Sequence, residues 1–139
     1  MRLSNPKRVF DLDDFLPPDG ETKFEMFFSE GVLNLDIFYE TDGSEARVSK
    51  RRIRFPQAKY FFKTPFPGYS FFSCPDDREL SLLNSLVNYE QSEMLDMERN
   101  TSGLTDYKHF RLFLHSSGAA IHVVSQSCEM LGEELVGRS

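Results

Sequence analysis

Alternation of apolar and polar residues at a period of two runs through most of this chain, and it limits the fold more than any other feature. In VLNLDIFYE, Leu33, Leu35, Ile37 and Tyr39 fall on one side and Asn34 and Asp36 on the other, the spacing of a strand with one dry face. KFEMFFS just before it sets Phe24, Met26 and Phe28 against Lys23, Glu25 and Phe27, with Glu30 and Gly31 between the two runs, so the pair reads as a hairpin. Asp42 and Gly43 in TDGSE are the residue types that accept a tight turn. RVSKRRIRF and AKYFFKT continue as strands on either side of Pro56. Proline cannot donate to a ladder, so that join is a bulge, an edge or a corner between sheets. Upstream, KRVFDLDDFL is a short strand around Val9 or an acidic entry loop, broken by PPDG. Downstream, the prolines and glycine of PFPGYSFFSCPDD predict an irregular crossing.

YKHFRLFLHSSGAAIHVVSQSCEML is the clearest element. With Ser117 and Gly118 as a two-residue loop, Leu114 faces Ile121, Leu112 faces Val123 and Phe110 faces Ser125. The reverse side then carries His115 opposite Ala120, Phe113 opposite His122 and Arg111 opposite Val124. In RELSLLNSLVNYEQSEMLDMERNTSG, a strand is expected at Ser85 to Glu90 and a helix from Ser92 to Arg99. Ser92 caps its amino end, Glu93 sits at the positive end of its dipole and Gly103 ends it. One helix over Arg78 to Arg99 is the competing reading.

These elements predict an α+β fold in a single domain, residues 1–139: a mainly antiparallel, twisted, partly closed sheet of about six strands with one helix packed against it. Fourteen Phe and five Tyr supply bulky material for its core. No run reaches the roughly 20 apolar residues of a transmembrane helix, and the first twenty residues lack the apolar centre of a secretory signal, so the expected location is cytoplasmic. Cys74 and Cys128 have no CxxC neighbour and no His at ligand spacing; they read as small buried or half-buried apolar groups, with an optional disulfide between them as the alternative.

No G-x-S-x-G, P-loop or HExxH motif occurs, so neither catalysis nor a cofactor is expected. His109, His115 and His122 share the mixed face of the last hairpin with Arg111. His115 and His122 come within a diagonal step, but His109 lies roughly 20 Å from His115 along the strand, too far for a common metal. The expected role of these histidines is as amphipathic partners on a half-wet face. A small enzyme would place a polar groove at Arg111, His122 and Glu90. A thiol nucleophile at Cys128 beside His122 lacks the helix start or glycine elbow that would activate it.

The charge is uneven. Between Ala46 and Pro75 stand seven Lys or Arg and no acid, while the other nine cations face all twenty-two acids of a chain whose net charge is −6. Arg51, Arg52, Arg54 and Lys59, interleaved with rings in residues 47–72, are the candidate surface for an anion or a single-stranded nucleic acid. Their alternation with Ile53, Phe55, Tyr60 and Phe62 equally fits solvent and core, and the net charge makes nucleic acid the less favoured partner. Asp76, Asp77, Glu90, Glu93 and Asp96 are the candidates for binding a cationic protein by electrostatic steering.

SLVNYEQSEML followed by KHFRLFLHSSGAAIHVVSQSCEM, about the last third of the chain, is similar to small uncharacterised bacterial proteins and to immunity proteins of polymorphic toxin systems. The likeness consists of a strand leading into Ser-Glu-x-Leu, a His-Phe-Arg strand, a Gly turn and a Val-Val strand. It implies a non-catalytic α+β domain that occludes a protein partner such as a toxin domain. Exposed edge strands also admit a homodimer.

Overall fold

The computed structural model describes residues 3–41, 47–65, 80–102 and 106–138. Ten strands and one helix occur there: β1 (Leu3–Asp11), β2 (Lys23–Ser29), β3 (Val32–Thr41), β4 (Arg47–Phe55), β5 (Tyr60–Pro65), β6 (Ser85–Ser92), α1 (Glu93–Ser102), β7 (Lys108–Leu114), β8 (Ala119–Ser125), β9 (Glu129–Met130) and β10 (Glu134–Arg138). The mainly antiparallel sheet with one packed helix is therefore present, but the strands divide between two sheets and neither closes into a barrel. One sheet has the order β1-β6-β7-β8-β5. The other has the order β10-β4-β3-β2, with β9 beside β4 on the side of β10.

The alternation noted above decides which sides meet. Leu33, Leu35 and Ile37 of β3 and Ile53 and Phe55 of β4 pack against Leu86 of β6, Phe110, Leu112 and Leu114 of β7, and Ile121 and Val123 of β8. Each of these side chains contributes on the order of 1.5–3 kcal/mol by leaving water, so this interior dominates cohesion between the sheets. Pro56 is the corner: β4 ends at Phe55 in one sheet and β5 begins at Tyr60 in the other, and Gln57 turns the chain at φ 55°.

The last hairpin keeps its expected faces but slides by two residues. Leu112 pairs with Ile121, Phe110 with Val123 and Arg111 with His122. The cause is a four-residue turn, His115 to Gly118, in which the Gly118 N–H donates to the His115 carbonyl at 3.1 Å and Gly118 adopts φ 67°. A shift of two preserves the side of every residue, which is why the dry face survived the error. After β6, α1 begins where Ser92 caps it, Ser92 Oγ accepting the Leu95 N–H at 3.1 Å. The single helix over Arg78 to Arg99 does not form; β6 occupies its middle. Asp42, Gly43 and Gly103 lie outside the described residues.

The β2–β3 turn holds Glu30 at φ 53° and Gly31 at φ 81°, the left-handed pair that the strand twist demands of a two-residue loop. Glu30 is exposed and carries a Cβ strain there that Asn tolerates better. Glu30→Asn is expected to raise stability by about 0.5–1 kcal/mol, measured as a shift of the urea midpoint at unchanged slope. A lower midpoint would show that the turn is not strained.

Candidate functional site

The first sheet is covered on both sides, which changes the meaning of its polar residues. Beyond the sandwich interior, the back of this sheet is sealed by α1 through Leu95 and Met94, packed with Tyr60, Tyr107 and Val124, and by Leu82 with Leu3, Val87 and Tyr89. The expected half-wet face is thus buried: His109, Arg111 and His122 are exposed by 0%, 1% and 3%.

Register brings His109, and not the expected His115, within a diagonal step of His122, because Arg111 pairs with His122 and His115 lies in the turn. His109 Nε2 lies 2.9 Å from His122 Nδ1, and His109 Nδ1 lies 2.8 Å from Ser92 Oγ. Tyr89 meets the His109 ring edge-on at 4.9 Å, and Phe62 stacks on His122 at 4.8 Å. Arg111 donates from Nε to the Tyr89 hydroxyl at 3.2 Å and from Nη1 to the carbonyls of Leu82 and Ser85 at 3.2 and 3.4 Å. His115 is not part of this chain of bonds; it sits at the turn, with Nε2 donating to the Leu83 carbonyl at 3.1 Å. Glu90 does not join Arg111 and His122 either, because Val87 and Tyr89 are the residues that face their side. Where the enzyme alternative places a polar groove, Arg111 and His122 are buried and Glu90 is exposed on the other surface.

The basic segment also separates by side. Arg52 grips Asp36 with two bonds, Nε to Oδ1 at 2.7 Å and Nη2 to Oδ2 at 3.0 Å, and Lys50 reaches the same carboxylate at 3.5 Å. Burial alone would raise Asp36, but Arg52 and Lys50 outweigh it and hold the carboxyl below its ordinary value. Arg54 pairs with Glu129 at 3.0 Å and Lys59 with the buried Glu98 at 3.9 Å. Arg51 points to the opposite side of β4, over the Phe15 ring at 5.2 Å and beside Tyr39, whose hydroxyl is pushed up to about 12 by burial and by Glu133. Arg51, Arg52, Arg54 and Lys59 therefore do not line one groove. Tyr60 and Phe62 are half-buried on the back of the first sheet. Among the described residues the most exposed rings are instead Phe27, Phe28 and Phe61, with Phe28 and Phe61 stacked at 5.6 Å where β2 and β5 edge the two sheets.

Cys128 is a free, half-buried thiol packed against the sandwich interior, away from the His122 side; burial pushes it up to about 11, so it stays protonated at neutral pH. Cys74, Asp76 and Asp77 lie outside the described residues. Glu90 and Glu93 are exposed and Asp96 half-buried around the junction of β6 and α1, with Lys7 3.4 Å from Glu90 and Arg99 4.0 Å from Asp96. Among the described residues no group of three His, Cys, Asp or Glu side chains could hold a metal ion, and no helix is long and apolar enough to cross a membrane. Comparison with protein-family models, curated proteins and solved structures returns no match to this chain.

Ser92 both caps α1 and ends the histidine chain, so Ser92→Ala loses two bonds at once and is expected to cost about 1–3 kcal/mol, read by urea unfolding. A cost under about 0.5 kcal/mol would remove Ser92 from the network. His109 is held well below its ordinary 6.5 by burial first, then by His122 and Arg111. The unfolded chain thus takes up a proton that the folded protein resists, so His109's contribution to stability is full above pH 6.5 and is lost as pH falls below it. His109→Gln is expected to flatten this loss between about pH 7.5 and 5; parallel stability profiles for variant and parent would refute the assignment.

Proposed function

We propose that this chain is a non-catalytic binding protein of the immunity type, which occludes a cationic protein partner such as a toxin domain through acidic side chains at the β6–α1 junction. The observation that carries this reading is the disposition of charge. Four cations of β4 and of the residue before β5 are matched nearby, Arg52 and Lys50 by Asp36, Arg54 by Glu129 and Lys59 by Glu98, while Arg51 lies over the Phe15 ring. These four cations are matched by acids of the chain itself. The acids Glu90, Glu93 and Asp96 stand together on the surface of a chain of net charge −6.

Exposed charge of one sign accelerates capture of an oppositely charged partner. The stretch SLVNYEQSEML, which carries half of the resemblance to immunity proteins, is the same stretch that builds this junction. A nucleic-acid surface fits less well, because stacking needs rings and free cations on one side of a sheet, and here the guanidinium groups are divided between two.

The test is association with a cationic toxin domain, taken from a reading frame beside this chain where one is found, measured at low and high salt. Neutralising the junction as E90Q/E93Q/D96N is expected to slow association roughly tenfold at low salt and to weaken the salt dependence, with the circular dichroism spectrum unchanged. Equal rates for parent and variant, or capture of nucleic acid with no protein, would sink the reading.

A further inference from the structure

A second acidic feature lies at the opposite end of β6 from the junction, about 25 Å away at ~3.3 Å per residue. There a cavity of about 460 Å³ opens between the segment that follows β1, Asn84 and the β7–β8 turn. Its floor is apolar, with buried Leu12 and Phe113 and half-buried Leu16, and its wall carries Asp13, Glu21 and the ring of His115.

Glu21 is the unusual member. Its side chain belongs to a residue only 5% exposed, its Oε1 accepts the Ser117 N–H at 2.9 Å, and no Lys or Arg among the described residues pairs with it. Its second oxygen takes no hydrogen bond from a described residue. Burying a carboxylate away from any cation is costly, and yet the fold builds for it. Ser116 Oγ donates to the Asp19 carbonyl at 3.0 Å, drawing the loop onto the turn, and Gly20 at φ 77° approaches so closely that a Cβ there would collide with Ser116 Oγ. Asp13 stands at the rim, with Asn84 Nδ2 3.5 Å from its Oδ2. Arg111 lies over the Phe113 ring at 3.9 Å, but its Nη1 is directed to the carbonyls of Leu82 and Ser85.

Two carboxylates repel an anion. A bare divalent ion would lack a ligand set, since no three metal-binding side chains converge among the described residues. An organic cation needs only a carboxylate for its charge and an apolar wall for its carbon stem. We infer that this cavity binds an ammonium or guanidinium group on a short aliphatic stem, with Glu21 as its counter-ion and Leu12 and Phe113 against the stem. The volume lies within the ~300–1,000 Å³ usual for small-ligand sites. Either a free organic cation or a Lys or Arg side chain of a protein carries this chemistry.

Backbone amide NMR shifts test the assignment with n-butylguanidinium and n-butylammonium against neutral n-butylurea. The cations are expected to shift the amides of Gly20, Glu21, Asn84, Ser116 and Ser117, and butylurea to leave them in place. Glu21→Gln keeps an oxygen for the Ser117 N–H, so its thermal midpoint should equal or exceed the parent's while cation affinity falls at least about tenfold. Asp13→Asn supplies a second reading with a smaller loss. A capped pentapeptide with one central Arg, compared with its citrulline analogue, assigns the source: binding of the Arg peptide places a protein side chain in the cavity, and binding of the free cation alone places a small molecule there. The inference is overturned if the cations move none of these amides up to about 10 mM, if butylurea binds as well, or if Glu21→Gln binds unchanged. E90Q/E93Q/D96N leaves the Glu21 cavity intact, so cation binding by that variant separates this inference from the reading of the junction.

Discussion

Burial of the β7–β8 hairpin on both of its sides is the constraint from which the rest of the structure follows. One side meets β3 and β4 across the sandwich through Phe110, Leu112, Leu114, Ile121 and Val123. The other is sealed by α1 and by the residues around Leu82, yet carries His109, Arg111 and His122. Polar groups removed from water must find partners within the protein or destabilise it. Here they do: Ser92, His109 and His122 form one chain, and Arg111 reaches Tyr89 and two backbone carbonyls. Because Ser92 also caps α1, the start of the helix, the order of the histidines and the closing of the back face are fixed by one hydroxyl.

The second sheet handles its outer surface differently. Asp36 is buried in the middle of β3, but the stems of Lys50 and Arg52 lie over it, and Arg52 also covers the Phe27 ring at 4.9 Å. Long cationic side chains therefore act as a lid whose heads are neutralised by the carboxylate they cover. The run of cations that looked like a docking strip is in large part this covering layer. A lone exposed ion pair contributes little to stability, but a forked Arg–carboxylate pair at a buried acid also fixes register, since a slip of β4 by one residue would leave Asp36 without its partner.

Alternation made much of this legible in the sequence. Leu33, Leu35, Ile37 and Tyr39 fall on the inner side as their spacing required, Pro56 marks the corner between sheets, and Ser92 caps the helix. What alternation cannot convey is how many sheets the strands make, or whether a mixed face is wet. His122 and Arg111 resemble half-solvated residues in sequence because polarity is the usual sign of water. Only the packing of α1 and Leu82 against them reveals otherwise. The turn at His115 to Gly118 is two residues longer than the alternation suggests for a related reason: loop length leaves sidedness untouched, so pattern alone does not select between two and four. The acidic cavity left no mark in the pattern. Glu21 follows a Gly in a polar stretch, and its burial arises from distant Ser116 and Ser117, which no local spacing announces.

Two acidic features at opposite ends of β6 operate in different physical regimes. Charges at the β6–α1 junction are exposed, so their field fades over a Debye length of about 10 Å at 0.1 M salt, and they act on how fast a partner arrives. Glu21 is enclosed, its field is screened far less, and it acts on how long a cation stays. Their separation of about 25 Å is comparable to the width of a standard protein interface, roughly 800 Å² on each side. A single cationic protein spanning both would be drawn in by the first and held by one side chain in the second. Raising salt would then slow its arrival far more than it hastens its departure.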